Sequence, residues 1–429
     1  MSTLPDLDAH AERHLAPLGI TVDQARHEAS RATATDRYAT PAALDVLRRL
    51  HAQAHACPTP TSLWSPVLPP TLPVTITQVP GDPDHLHVHH DGETVTVDTG
   101  HLLAHLTETG ITQPGQTHRS LIVETPDTLR LLADLTRHPH GHHTAAAVLD
   151  WWTQRAEHPG TGAAFVATDA AALRWVTGEH PTAERHLDTW HRWLDLDTDD
   201  PAATAHALVT HTSQGHLLAG MLDCHTADSF DWKRLVRRDL NRWRAGRETH
   251  RDAALGLTSR CHAAEYFTSL RLEDPTTAQA ALRDGQLMEA TITTEHDDRT
   301  LTLTARHTLT RLRVGNQVQA WAGTTQDADP HQPLLLQHAT VHHVRTAPDG
   351  TLQITLTNVI APRGRQVGTD LTLRPRRTDP HQQARLRGRY HSRLRDQRNW
   401  LARTTATAPT TRRHVPLDVV LAAAEPDPT

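Results

Sequence analysis

Between His85 and Asp98 the chain reads HLHVHHDGETVTVD, which places His85, His87 and His89 on one side of an extended strand. Neutral imidazoles aimed the same way are a donor set that zinc accepts, and bound zinc activates water for hydrolysis. A metal-dependent hydrolase using the His85–His90 region is therefore one reading. The same residues also make a plain hairpin. Asp91-Gly92 is a type I′ turn signal, Leu86 and Val88 form an apolar face, and Val95 and Val97 continue it on the return strand. No second motif supplies distal ligands. With 35 histidines in the chain, runs such as HPHGHH at 138–143 and VHH at 341–343 arise without a metal. The expectation is a structural hairpin, with no metal and no cofactor.

Two further groups have ligand chemistry and the wrong spacing. LDLDTDDP (194–201) gathers Asp195, Asp197, Asp199 and Asp200 like a calcium loop. Its sixth position is Asp200 where that loop requires Gly, and its twelfth is His206 where it requires Glu. These acids suit the N-terminus of a helix starting at Pro201 instead. Cys224-His225 and Cys261-His262 could satisfy zinc chemically. Adjacent residues on a helix point about 100° apart, however, so thiols packed in a helical core are expected.

Lys233 is the only lysine among 43 basic residues, a bias typical of a high-GC bacterium. It lies in DWKRL with no preceding glycines, which excludes a P-loop, and nothing marks it for Schiff-base chemistry. No Gly-x-Ser-x-Gly elbow and no Gly-x-Gly-x-x-Gly fingerprint is present. Three scattered cysteines, no basic-then-apolar leader and no apolar run of spanning length point to a soluble, reduced, cytoplasmic protein without a membrane partner.

Arginine carries the clearest signal. Residues 360–414 hold fourteen arginines against Asp370, Asp379 and Asp396, a net +11 in a chain of net −6. Asp379-Pro380 is a helix start, and Leu386, Tyr390, Leu394 and Leu401 would form one apolar stripe. Arg385, Arg387, Arg389, Arg393, Arg395 and Arg398 flank that stripe. Guanidinium matches phosphate with a planar fork, so these side chains suit the backbone of DNA or RNA. Tyr390, Trp400 and Trp321 offer aromatic faces for stacking. An acidic protein partner would meet the same charge.

The elements that must position these residues follow from periodicity. The expected class is a multidomain α+β protein: a mostly helical N-terminal and central body with a small sheet, then a small SH3-like or OB-like β-barrel and an arginine-rich C-terminal helix. The expected segments are an N-terminal helical segment (1–57), a Pro-rich linker (58–73), a small α/β unit (74–200), a helical region (201–286), the barrel (287–375), and the basic helix and tail (376–429). In the first, Leu47, Leu50, Ala54 and Cys57 form a helical stripe that would bury Cys57. FDWKRLVRRDLNRWRAG aligns Trp232, Leu235, Val236, Leu240 and Trp243. The barrel strands expected are LMEATITT, RTLTLTAR, LTRLRV, QVQAWAG, LLLQHATVHHVRT and TLQITLTNV. Together these expectations favour an accessory, non-catalytic nucleic-acid-binding protein over a protein-interaction scaffold or a metal-dependent hydrolase.

Overall fold

Alternation along the first strands sets their register. In the computed structural model, which describes residues 41–115, 117–196, 200–240, 243, 250–327, 334–361 and 366–377, helix α1 (Pro41–His55) and the short strand β1 (Thr59–Pro60) precede a three-stranded meander. Its strands are β2 (Val74–Val79), β3 (Asp82–His90) and β4 (Glu93–Asp98). Leu86 pairs with Val97 and Val88 with Val95, while His87 and His89 face Thr96 and Thr94. Asp91 at φ 50° and Gly92 at φ 86° make the reversal, the left-handed pair a two-residue hairpin needs.

Helix α2 (Leu102–Glu108) crosses to β5 (Leu121–Val123), which lies parallel to β2. Helices α3 (Pro126–Leu135) and α4 (His143–Ala156) then lead to β6 (Ala164–Val166), parallel to β5. The sheet order is β4-β3-β2-β5-β6. β5 is an unbroken apolar run because both faces of the sheet are covered. Val74, Ile76, Leu86, Leu121 and Val123 pack against Leu102, Leu106, Leu149 and Trp152 of α2 and α4. On the other face Ile122 and Phe165 pack against Ala170, Leu187, Trp190, Leu208 and Val209. Those come from α5 (Ala167–Arg174), which ends in β7 (Trp175–Val176), and from α6 (Leu187–Leu194) and α7 (Pro201–Thr212). Helices on both faces of a mixed sheet make three layers. Asp200 caps α7 by accepting from the Ala202 and Ala203 amides at 3.2 and 3.3 Å, so one acid of the 194–201 run serves the helix start. Asp197 and Asp199 lie outside the described residues.

Helix α1 turns a different face inward from the one its apolar stripe suggests. Leu47 is 44% exposed, and Cys57, expected in a core, is exposed. Val46 and Ala52 are buried instead, and the partly buried Arg49 grips Glu184 through two bonds of 2.8 and 3.0 Å. A bidentate ion pair therefore decides the rotation of the helix over a weak hydrophobic stripe. Cys261 is likewise exposed.

Helix α8 (Met221–Arg234) continues as a π-type turn over Leu235–Asp239, and α9 (His250–Arg271) and α10 (Pro275–Arg283) follow. Trp232, Leu235, Val236, Leu240 and Trp243 all join the first core, as their spacing predicts. The barrel strands are β8 (Met288–Asp297), β9 (Thr300–Ala305), β10 (Gln317–Ala322), β11 (Leu336–Thr346), β12 (Leu352–Ile360) and β13 (Asp370–Pro375). All pairings are antiparallel and close in the order β10-β11-β12-β9-β8-β13. LTRLRV is not a strand. Leu312 tucks into the barrel core while the Arg313 amide donates to Asn316 Oδ1 at 2.8 Å, which curls the backbone before Gly315. The closing strand is DLTLRP instead, and it pairs with both β8 and β10. The fold is thus α+β, with ten α-helices among the described residues, mixed sheets and a closed six-stranded barrel. The chain divides into two units, 1–247 with 259–380, and 248–258 with 381–429. Every contact reported below lies within the first.

Candidate nucleic-acid interface

The closing strand of the barrel delivers the chain to its arginine-rich segment. Arg374, the second-last residue of β13, is only 3% exposed. Its Nη1 donates to Glu273 Oε1, and its guanidinium lies 5.8 Å from the centre of the Trp321 ring. Arg377 donates to the same Glu273 oxygen at 3.3 Å and lies 5.5 Å from the Tyr266 ring centre. Its own amide donates to Gln319 Oε1 at 3.1 Å. Arg376 is held by uncharged partners, its amide on the Gln317 carbonyl at 2.9 Å and its Nη1 on Gln317 Oε1 at 3.0 Å. One buried carboxylate between α9 and α10 thus anchors two of the first three arginines after Leu373, and the third stays uncompensated.

Burial is the main cause of the shifts in the neighbouring titratable groups. Burial, with a smaller contribution from Arg376, lowers the pKa of His338, so that ring loses its proton more readily. The Tyr266 phenol is raised first by burial, then by its hydrogen bond of 2.6 Å to Asp223 Oδ2. It stays neutral beneath the Arg377 guanidinium.

Around the barrel the arginines fall into two groups. Arg306 pairs with Asp370, and Arg311 with Asp284 at 3.5 Å. Arg313 donates to the carbonyls of Thr310 and Leu312, and Arg345 to Gln353 Oε1 at 2.8 Å. Arg313, Arg345 and Arg376 therefore present charge that no described carboxylate neutralises. Neutral hydrogen bonds hold their planes in place, as phosphate recognition requires.

Trp321 has little open face. It is 5% exposed and packs with Leu272, Ala278, Ala281, Leu282 and Leu287, joining the barrel to α10. Arg374 covers its ring, so a base has no access there. Arg385, Arg387, Arg389, Arg393, Arg395, Arg398, Tyr390 and Trp400 lie outside the described residues.

Three of the hairpin histidines are engaged locally. His85 Nδ1 lies 2.9 Å from Asp82 Oδ2, His87 Nδ1 3.2 Å from Thr96 Oγ1, and His89 Nδ1 2.9 Å from Thr94 Oγ1. Thr94 in turn donates to Asp200 at 2.8 Å. The HPHGHH run lines an open cavity of about 540 Å³ with His101 and Asp134. Among the described residues no three His, Cys, Asp or Glu side chains come together in a group that could hold a metal ion. The Cys224 thiol is pushed up to about 12, by burial first and then by Asp228 and Asp223, so it is protonated and inert. Among the described residues no helix is long and apolar enough to cross a membrane.

What the sequence could not disclose is the partner of Arg374. Glu273 is 101 positions away, and neither residue carries a local signal for the other. No family model, no curated protein and no solved structure matches the chain.

Proposed function

We propose that the chain is an accessory nucleic-acid-binding protein without catalytic chemistry of its own. It grips the phosphate backbone of DNA or RNA with its barrel and its arginine-rich C-terminal segment. On this reading the barrel serves as a small SH3-like or OB-like binding module. The observation that carries the reading is the concentration of charge, a net +11 over 360–414, the stretch that contains and follows the closing barrel strand. At physiological salt the Debye length is about 8 Å, so a phosphate at this segment feels its arginines far more than distant carboxylates. Arg313, Arg345 and Arg376 extend the same chemistry onto the barrel, since none is neutralised by a described carboxylate.

The test is salt-dependent binding to duplexes and single strands of DNA and RNA. Each phosphate contact contributes roughly 0.9 to the log–log salt slope for duplex and 0.7 for single strands. Changing Arg387, Arg395 and Arg398 together to Ala should flatten the duplex slope by about 2.7 if all three touch phosphate. The reading fails if the parent shows no salt-sensitive binding at micromolar concentration, or if the triple variant binds as the parent does. In either case an acidic protein partner becomes the better account of the charge.

A further inference from the structure

We propose that Arg48, Arg174 and Arg271 form a binding site for a phosphate oxyanion, assembled on the proline-rich strap at residues 59–64. This site is separate from the arginine-rich segment and does not depend on the function proposed above.

The strap ties the elements that carry the three arginines to one another. His51 Nδ1 of α1, one turn beyond Arg48 on the same face, lies 3.1 Å from Thr59 Oγ1. The amides of Thr61 and Ser62 donate to the Arg174 carbonyl at 2.8 and 3.4 Å. Ser62 Oγ and the Trp64 amide donate to Asp274 Oδ2 at 2.9 and 2.7 Å. The Asp274 amide closes the circuit by donating to the Arg271 carbonyl at 3.1 Å.

Asp274 is the carboxylate that all three guanidiniums feel. It is fully buried, and its oxygens are already occupied. Oδ2 takes the two strap donors, and Oδ1 caps α10 by accepting from the Thr276 and Thr277 amides at 2.9 and 3.2 Å. Among the described residues none of the three guanidiniums makes a salt bridge or a hydrogen bond. The Nε and Nη1 of Arg174 and the Nε of Arg271 are buried without any partner. Asp45, the other acid near Arg48, is taken by Arg49 Nε at 3.0 Å. Burial lowers the pKa of each of the three, and in Arg271 the like charge of Arg48 adds to the effect.

Three cations thus share one saturated anion while buried donors of Arg174 and Arg271 remain unfilled. The contrast with neighbouring arginines is sharp: Arg49 and Arg374 each have a carboxylate in hydrogen-bond contact. Guanidinium donors without acceptors, in a spot of excess positive charge, match the several acceptor oxygens of a phosphate. The Trp175 ring, 5.7 Å from the Arg174 guanidinium carbon and 5.3 Å from the His211 ring, supplies an aromatic wall beside the site. The ligand class is therefore a phosphate-bearing compound or the phosphate backbone of a nucleic acid.

The experiment titrates pyrophosphate into the full-length protein in phosphate-free chloride buffer by calorimetry. One saturable site per chain is expected. Losing one charge-assisted contact should weaken it about tenfold. Arg174→Gln and Arg271→Gln should each show that loss, while Arg130→Gln, whose residue pairs with Asp127 on α3, should bind as the parent does. Competition with a short single strand separates the two sources. If strand and pyrophosphate exclude each other, the site takes backbone phosphate; if strand binding is untouched by Arg174→Gln, it takes a free phosphate compound. Should Arg271→Gln misfold, the half-buried Arg48→Gln gives the same readout. In the absence of phosphate the variants should melt no lower than the parent, because each removes a guanidinium with no carboxylate in hydrogen-bond contact. Absence of saturable binding at millimolar pyrophosphate overturns the proposal. So does unchanged affinity in all three variants, or a lowered melting temperature in all three without phosphate.

Discussion

Asp228 is a carboxylate with no exposure at all, and it makes a large demand on stability. It sits on α8 and holds the loop between α4 and β6. Thr161 Oγ1 donates to both of its oxygens at 3.0 Å, the Gly162 amide donates at 2.8 Å, and Arg155 Nη2 completes the set. Arg155 is itself 6% exposed and has one further carboxylate, Asp231, at 3.2 Å. Replacing Asp228 by Asn keeps the shape and removes the charge. Breaking a buried pair from one side costs about 3–5 kcal/mol, because an uncompensated charge is left behind. Asp231 remains within reach of Arg155, which places the expected loss at the lower end, about 3 kcal/mol. Asp231→Asn, at the half-buried end of the same network, should cost about 1 kcal/mol. Urea unfolding followed by tryptophan fluorescence reads this directly, since Trp151 and Trp232 lie 5.0 Å apart in the adjoining core. The midpoint should fall while the slope stays constant. A loss below about 1 kcal/mol for Asp228→Asn would refute the argument, for it would mean that Arg155 is solvated rather than held.

Other outcomes follow from the same geometry. The Glu289 carboxyl is held down to about 2, by His307 first, with the Thr325 amide and hydroxyl at 2.8 and 2.9 Å assisting against burial. A depressed folded pKa stabilises above the unfolded value of 4.5 and is lost as pH falls toward 2. Melting curves between neutral pH and pH about 3 should therefore show the parent's advantage over Glu289→Gln shrinking as acid is added, and parallel curves would contradict this. His87→Ala with His89→Ala should change stability by no more than about 0.5 kcal/mol and leave any metal content unaltered, because these rings bond only across the hairpin. Zinc present at one per chain and lost in the double variant would reverse that view. Ile354→Val, fully buried in the barrel, should cost about 0.5–1.5 kcal/mol in thermal unfolding; a neutral result would show the barrel core to be loosely packed.

How much of this was legible in the sequence depends on the range of the interaction. The hairpin at Asp91-Gly92, the helix start at Asp200-Pro201 and the change to β structure near residue 287 are local patterns, and the structure contains them. Periodicity alone does not single out the closing barrel strand, because Leu312 and Val314 in LTRLRV alternate as Leu371 and Leu373 do in DLTLRP. Only closure, which needs one strand to pair on both sides, chooses between them. The burial of Trp321 was missed for a related reason. Its ring fills the gap between the barrel and α10, a surface that exists only once both have folded. The apolar stripe misplaces Cys57 because it leaves out Arg49, whose partner Glu184 lies 135 residues away.

The same difference in range bears on how the arginines should be read. A chain that has one lysine spends arginine on every basic position, so counts along the sequence exaggerate the case for phosphate. What discriminates is the acceptor each guanidinium meets in the fold. Arg49, Arg155, Arg374 and Arg377 meet carboxylates and are thereby spoken for as structure. Arg313, Arg345 and Arg376 meet neutral oxygens at the surface, and Arg48, Arg174 and Arg271 meet none. A guanidinium with buried donors and no acceptor is costly, and a fold that keeps Arg174 and Arg271 in that state, beside the half-buried Arg48 and around one saturated aspartate, has a reason outside its own packing. For the exposed group, counterion release is such a reason, and it predicts a salt slope. For Arg48, Arg174 and Arg271 the reason must be an anion small enough to reach the strap, and it predicts stoichiometry. The two measurements separate compositional bias from recognition because bias produces neither.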